Sequence, residues 1–168
     1  MHIKNLRRAK DLVTFLLPAL AMPLALALLA TQAQAKPNFS GEWKLNPAKS
    51  EFGPMPAPSK RTDKITHEDP KLQITTSSTT PNGDFTVNLN YTTDGKECTN
   101  EIRGNPLKST VEWEGDALVF KTKGSFGGNE INITDKWTLT DEGKTLIIGR
   151  HFKTPQGEMD QKMVLEKQ

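Results

Sequence analysis

The chain has 168 residues, of which 35% are hydrophobic and 25% charged, a composition typical of one globular domain. Its formal net charge is +2, but four of the 22 basic residues and one of the 20 acidic ones lie within residues 1–35. Residues 36–168 therefore hold 18 basic and 19 acidic residues, with no basic run mixed with aromatics, so nucleic-acid binding is not expected. A single cysteine, Cys98, excludes an intramolecular disulfide and a multi-cysteine metal site.

Residues 1–35 have the order of features that is typical of a secretory signal peptide. A basic segment precedes an apolar run over 12–30, and Ala33 and Ala35 stand at the Ala-x-Ala spacing of a cleavage site. A transmembrane anchor is the alternative, since a run of this length approaches the ~20 residues that span a bilayer. Two prolines in the run and the cleavage-like end favour removal. We expect a mature domain over 36–168 that is periplasmic or secreted and has no stable membrane anchor.

The remainder of the chain alternates short strand-like segments with turn sequences. Turns such as PNGD at 81–84, TDGK at 93–96 and DEGK at 141–144 supply the positive φ angles that close hairpins. Short strands with short connections predict an antiparallel meander. The predicted strands are 39–46, 62–68, 71–79, 85–92, 97–103, 107–114, 117–123, 130–140, 145–153 and 158–166.

Alternation of side chains assigns one face of these strands to the interior. Leu107, Val111 and Trp113 share one side of their strand and polar residues share the other, and the same period of two occurs in 85–91 and 130–140. A single apolar face packs inward while the other meets water. Because closure removes exposed edges, the sequence predicts a single all-β, antiparallel up-and-down barrel of about 8–10 strands.

One long irregular segment, 47–62, connects the first two strands. It holds four prolines and has no helical period, so it cannot donate a full backbone ladder. We expect a surface crossover that packs Phe52 and Met55 against the barrel. A flap that gates a ligand is the alternative.

The first and last strands resemble those of a known superfamily. FSGEWKL, with Gly41 and Trp43, is similar to the opening strand of lipocalins and fatty-acid-binding proteins, together the calycins, and MVLEK at 163–167 is similar to the closing strand of the latter branch. As a whole, 36–168 resembles small exported bacterial lipocalin-like proteins of uncharacterised function. The resemblance implies that Trp43 plugs one barrel end, that Gly41 allows close approach of the chain, and that both are structural. Phe39 shares the face of Trp43, so we expect it to be a structural core residue as well.

The chain also departs from the fatty-acid-binding pattern. Those proteins carry an Arg and a Tyr, two residues apart on the last strand, that hold a carboxylate, and Met163 and Leu165 stand at the matching positions. The segment 47–62 has no counterpart of their helical lid. The resemblance therefore favours the fold more strongly than it favours a fatty-acid ligand.

Polar side chains on the inward face are the candidates for a ligand site. By parity, Arg150 falls on the face of Ile148, and Asp135 falls on the face of Trp137. A charge on an inward face is costly unless it is paired, so the two residues pair across neighbouring strands or serve a bound polar group, unless a bulge shifts the parity. The candidate ligand-binding residues are Arg150, Tyr91, Asp135, Gln161 and His67.

Two functions from different classes fit this sequence. The first is an exported protein that binds a small apolar or amphipathic molecule in the barrel. The alternative is a non-catalytic envelope interaction or structural module with a filled barrel. Strand number discriminates, because side chains just fill an eight-stranded barrel and ten strands leave room. No nucleophile–base constellation is visible, so we expect no enzymatic activity. We also expect a monomer that carries no cofactor or metal.

Overall fold

The computed structural model describes residues 35–168, so the predicted signal peptide lies outside the described residues except for Ala35. Within this range, the only helical segments are single 3-10 turns at Pro47–Lys49 and Asp141–Gly143, and neither is long or apolar enough to cross a membrane. The strands are β1 (Gly41–Leu45), β2 (Lys60–Glu68), β3 (Lys71–Thr80), β4 (Gly83–Thr92), β5 (Cys98–Ile102), β6 (Asn105–Glu114), β7 (Ala117–Phe126), β8 (Asn129–Thr140), β9 (Thr145–Thr154) and β10 (Gly157–Lys167).

The ten strands form one antiparallel sheet that curls into a nearly closed barrel. Their order is β4-β3-β2-β1-β10-β9-β8-β7-β6-β5, so the first and last strands pair and the rest follow the chain. The predicted all-β up-and-down barrel is confirmed, with the upper predicted strand number. The first strand begins at Gly41 rather than at 39, because the Phe39 backbone N–H donates to Nδ1 of His67 instead of a strand ladder.

The barrel is left incomplete between β4 and β5, which are the two edge strands of the sheet. The carboxamide of Asn100 on β5 crosses this gap. Its Oδ1 accepts from the Asn90 N–H at 2.7 Å, and its Nδ2 donates to the Asn90 carbonyl at 3.0 Å. One side chain thus supplies the donor and acceptor that a neighbouring strand would supply.

The core lies at the end of the barrel where the chain enters. Phe39 and Trp43 are fully buried there, and the Trp43 indole N–H donates to the Phe39 carbonyl at 2.9 Å. Gly41 has a φ of +141°, and a Cβ at this position would lie 2.7 Å from Cε of Lys167, whose ammonium group sits over the Trp43 ring. The close neighbour of Gly41 is therefore a side chain of the last strand.

The segment between β1 and β2 first runs beside β10, past the end of β1. Glu51 forms a two-way backbone bridge with Lys162, and Phe52 packs against the core cluster, as expected for a surface crossover. The prediction for Met55 is wrong, since this side chain is 47% exposed. Met55 lies in the turn that follows Phe52, and its N–H donates back to the Phe52 carbonyl, which places its side chain beyond the packed part of the segment.

Candidate functional site

The barrel interior contains a cavity of about 80 Å³ beside the core. Trp137 and Phe120 belong both to the core cluster and to the cavity wall. Because β-strand side chains alternate between faces, the wall is built from every second residue of several strands. The other apolar side chains of the wall are Ile74, Leu89, Ile102, Leu107 and Ile133.

The barrel end opposite the core is open to water. Phe85, Phe152 and Met159 stand on the inward face of their strands, yet each is only partly buried, and Phe126 on the same face of β7 is 40% exposed. Inward residues at the other end, such as Trp43, are fully buried. The cavity therefore lies between a packed end and an accessible one.

A paired arginine and aspartate form the main polar feature of the cavity. The strand register places Asp135 of β8 directly opposite Arg150 of β9. Arg150 Nε donates to Oδ1 and Nη2 donates to Oδ2 of Asp135, both at 2.7 Å, so the pair is bidentate. Burial opposes the charge of Arg150, but the Asp135 carboxylate outweighs it and the pKa of the guanidinium is raised.

A second such pair was not predicted from the sequence. Arg61 on β2 donates from Nε and Nη2 to the carboxylate of Asp63, at 3.0 and 2.8 Å, and Asp63 is fully buried. Nη1 of Arg61 also donates to the sulfur of Met163 at 3.2 Å. The same parity that places His67 beside Ile65 places Arg61 and Asp63 on that inward face, so the signal was present.

Two aromatic residues bring further polar groups to the cavity wall. Tyr91 is half-buried, and burial, followed by the nearby Asp135 carboxylate, raises the pKa of its hydroxyl, which stays protonated at neutral pH. Its ring meets the Phe120 ring edge-on at 5.3 Å between centroids. The indole N–H of Trp137 is buried and has no hydrogen-bond partner among residues 35–168.

The remaining two candidate residues lie away from the cavity. His67 is buried in the packed end, with its ring 5.8 Å from the Phe39 and Trp113 ring centroids. Gln161 donates from Nε2 to the Phe52 carbonyl at 3.1 Å and so holds the crossover segment against β10. The structure thus brings together Arg150, Asp135 and Tyr91 and separates His67 and Gln161 from them.

A larger depression of about 400 Å³ lies at the ends of β2, β3 and β4, but it is open to solvent and mostly polar. Short hydroxyl side chains such as Thr62, Ser77 and Thr86 dominate its surface. It lacks the apolar enclosure that is typical of small-molecule sites. Between residues 35 and 168, no group of three or more His, Cys, Asp or Glu side chains is placed to hold a metal ion.

Comparison with solved structures identifies the architecture. The barrel matches zebrafish ileal bile acid-binding protein in complex with cholic acid, with a TM-score of 0.58, 19% identity, and coverage of 77% of this chain and 98% of that one. It matches lipid binding protein 8 of Caenorhabditis elegans at a TM-score of 0.56 and 13% identity, with coverage of 77% and 95%. The chain therefore shares the β-barrel fold of these two proteins.

A third match extends this fold to a secretory protein. The secretory abundant heat soluble protein of Ramazzottius varieornatus matches with a TM-score of 0.56 and 16% identity, with coverage of 77% of this chain and 94% of that one. No protein-family model and no curated protein sequence matches the chain. The resemblance to exported bacterial lipocalin-like proteins stays a prediction.

Proposed function

We propose that this chain is an exported, non-catalytic binding protein that holds a small apolar or amphipathic molecule inside its barrel. The observation that carries the proposal is the interior itself, where an apolar wall surrounds a few convergent polar groups and one barrel end is open to water. Binding sites for small molecules have this composition. Two of the structural matches named above are described as binding a bile acid or lipid.

The size of the cavity limits how a ligand fits. The free volume of about 80 Å³ is well below the roughly 300–1,000 Å³ of typical ligand sites. A bound molecule of ordinary size therefore extends into the open end, past Phe85, Phe152 and Met159, and displaces these half-buried side chains. Its polar group then lies beside Arg150 and Tyr91.

Export is part of the same proposal and rests on the features of residues 1–35. Cleavage after Ala35 makes Lys36 the first residue of the mature protein. Mass spectrometry of the protein recovered from the periplasm or medium measures this terminus. A protein that keeps residues 1–35 and stays with the membrane fraction contradicts export without bearing on ligand binding.

Solvent extraction of the purified protein followed by mass spectrometry tests the binding function. We expect a discrete small molecule that co-purifies with the wild type. The variant Thr122→Phe fills the cavity, because Thr122 lines its wall, and should reduce the amount recovered by about tenfold or more, which corresponds to about 1.4 kcal/mol of binding free energy. Thr134→Phe, on the exposed face of β8, is the matched control and should leave it unchanged.

A non-catalytic interaction module with a filled barrel is the second candidate, and the small cavity volume favours it. It predicts that no compound co-purifies and that apolar probes leave the tryptophan fluorescence of the protein unchanged. Recovery of equal amounts of compound from wild type and Thr122→Phe would place the molecule outside the barrel and contradict the proposed site.

A further inference from the structure

The charged groups inside the barrel balance one another. Two guanidinium groups, of Arg61 and Arg150, face two carboxylates, of Asp63 and Asp135, and each guanidinium is held in a bidentate pair. His67 adds no charge at neutral pH, because burial lowers its pKa. The four ionised groups around the cavity therefore sum to zero, and Lys167, which shares the inward face of β10, is exposed to water over the Trp43 ring at the packed end.

An anionic ligand would disturb this balance. Its carboxylate would become a third negative charge beside two buried or nearly buried carboxylates, Asp63 and Asp135. It would gain a full positive partner only by breaking one of the pairs, which leaves an aspartate buried without compensation. Toward the open end, Arg103 stacks on the Phe85 ring, but Arg103 is solvent-exposed and its field is screened by water.

The same interior retains hydrogen-bond donors. Nη1 of Arg150 is not used by any residue between 35 and 168, since only Nε and Nη2 contact Asp135. The Trp137 indole N–H is buried without an acceptor, and the Tyr91 hydroxyl stays protonated. A buried donor without an acceptor is costly, so the Trp137 N–H favours a ligand that brings an acceptor oxygen, and the half-buried Arg150 and Tyr91 side chains supply further donors.

We propose that the barrel selects uncharged amphipathic molecules whose polar group accepts hydrogen bonds, such as an alcohol, ester or ketone, over the carboxylate with the same chain. The inference rests on the proposed binding function and specifies its ligand class. Met163 and Leu165 agree with it, since both are buried apolar residues of β10 and provide no carboxylate-holding pair.

Matched probes test this selectivity. Protein from expression of the full chain is stripped of bound compounds and titrated calorimetrically at pH 7.5 with dodecan-1-ol, methyl dodecanoate and sodium dodecanoate, each below its critical micelle concentration. A carboxylic acid is ionised at this pH. We expect the alcohol and the ester to bind at least tenfold more tightly than dodecanoate. Dodecanoate binding as tightly as the alcohol overturns the selectivity and leaves the binding function standing, whereas no binding by any probe overturns both.

The variant Asp135→Asn tests the cause of the selectivity. It releases Arg150 from its carboxylate, so the affinity for dodecanoate should rise at least tenfold relative to that for dodecan-1-ol. Asp116→Asn, at an exposed carboxylate in the β6–β7 turn, is the matched control and should leave the ratio unchanged. An unchanged ratio in folded Asp135→Asn overturns the charge-balance explanation.

A measurement on the wild type keeps the inference testable if Asp135→Asn does not fold. As the pH is lowered from 7.5 to 5, the dodecanoic acid becomes increasingly protonated and uncharged. Its affinity should rise relative to that of dodecan-1-ol, which serves as the internal reference, and should do so equally in His67→Asn, which removes the buried histidine that also gains a proton as the pH falls. A ratio that stays constant over this range contradicts selection against the charge.

Discussion

His67 is an ionisable residue buried in the packed end, and only one of its two ring nitrogens is hydrogen-bonded. Its Nδ1 accepts the Phe39 N–H at 3.3 Å, which places the proton of the neutral ring on Nε2. Nε2 has no hydrogen-bond partner among the described residues, and Asp69 Oδ1 lies 3.7 Å away, too far for a hydrogen bond. Burial therefore dominates over the attraction of Asp69 and lowers the pKa of His67.

This arrangement predicts a loss of stability on mild acidification. The unfolded chain binds a proton at His67 near pH 6.5, whereas the folded chain does so only at lower pH, so the free energy of unfolding falls as the pH drops from about 6.5 toward the folded-state pKa. One proton contributes a slope of at most about 1.4 kcal/mol per pH unit. Urea unfolding at several pH values between 7.5 and 5 measures it.

The variant His67→Asn should flatten that slope, because the Asn side chain does not titrate and retains an acceptor for Phe39. His151→Asn, at the histidine on the outward face of β9 whose side chain is 45% exposed, is the control and should keep the decline. Titration of Asp69 does not affect this pH range. Hydrogen bonds from Thr93 and then Trp113 lower the pKa of Asp69 from 3.8, so the stability that this carboxylate contributes is lost only as the pH falls below about that value. An equal slope in His67→Asn and wild type would contradict the assignment.

The two internal arginine–aspartate pairs stabilise the barrel only as pairs. Attraction and hydrogen bonding offset the desolvation of the four charges, whereas removal of one partner leaves a buried charge that costs about 3–5 kcal/mol. The cost of leaving a charge unpaired is greater at Asp63, which is fully buried, than at Arg150, whose side chain retains 29% exposure. Arg150 is thus the charge inside the barrel that a ligand can reach without unfolding its surroundings.

At the scale of strands, the junction of β4 and β5 is the weak point of the sheet. All other neighbouring strands are joined by backbone ladders, but here the Asn100 carboxamide provides the two hydrogen bonds to the Asn90 backbone. Asn100 is buried, so water does not readily replace these bonds when they are lost. A buried backbone group without a partner is destabilising.

Asn100→Ala should therefore lower the free energy of unfolding by about 1–3 kcal/mol and speed hydrogen exchange of the Asn90 amide. Denaturant unfolding and exchange measured by NMR report the two effects. Asn88→Ala is the matched control, because Asn88 is exposed on β4 and its Oδ1 contacts only the Thr75 hydroxyl. Equal losses in the two variants would mean that Asn100 does not hold the junction.

The strands were predictable because their inward faces are apolar and their outward faces polar, as in the segment of Leu107, Val111 and Trp113. The same signal is weak in β2, where KRTDKITHE carries polar residues on both faces, and this obscured Arg61 and Asp63. Side-chain position outside the strands has no period, so the exposure of Met55 was not predictable. Nothing in the sequence distinguishes Asn100 from an asparagine that bonds to water.

At the scale of the whole barrel, the apolar residues are unevenly distributed along its axis. One end holds Phe39, Trp43 and their neighbours in a closely packed cluster, and the other end leaves Phe85, Phe152 and Met159 partly exposed. Regions with fewer buried apolar contacts open more readily than the packed core. The stability of the barrel should therefore decrease from the packed end to the open end.

Strand β9 allows this gradient to be measured within one element. It is paired on both sides, with β8 and β10, so the amides at its two ends have comparable ladder partners. Leu146 near the packed end is fully buried and Phe152 near the open end is partly exposed. Native-state hydrogen exchange should be at least about tenfold faster at Phe152 than at Leu146, which corresponds to about 1.4 kcal/mol in opening free energy.

Ligand binding should act on this gradient selectively, because a molecule that enters the open end contacts the mobile part and not the packed part. Exchange at Phe152 should slow when the preferred uncharged probe saturates the protein, while exchange at Leu146 stays limited by global unfolding and slows only by the overall stabilisation that binding confers. The difference in protection between the two amides should therefore narrow. Equal protection of both amides without ligand would contradict the gradient, and an unchanged difference with ligand would place binding away from the open end.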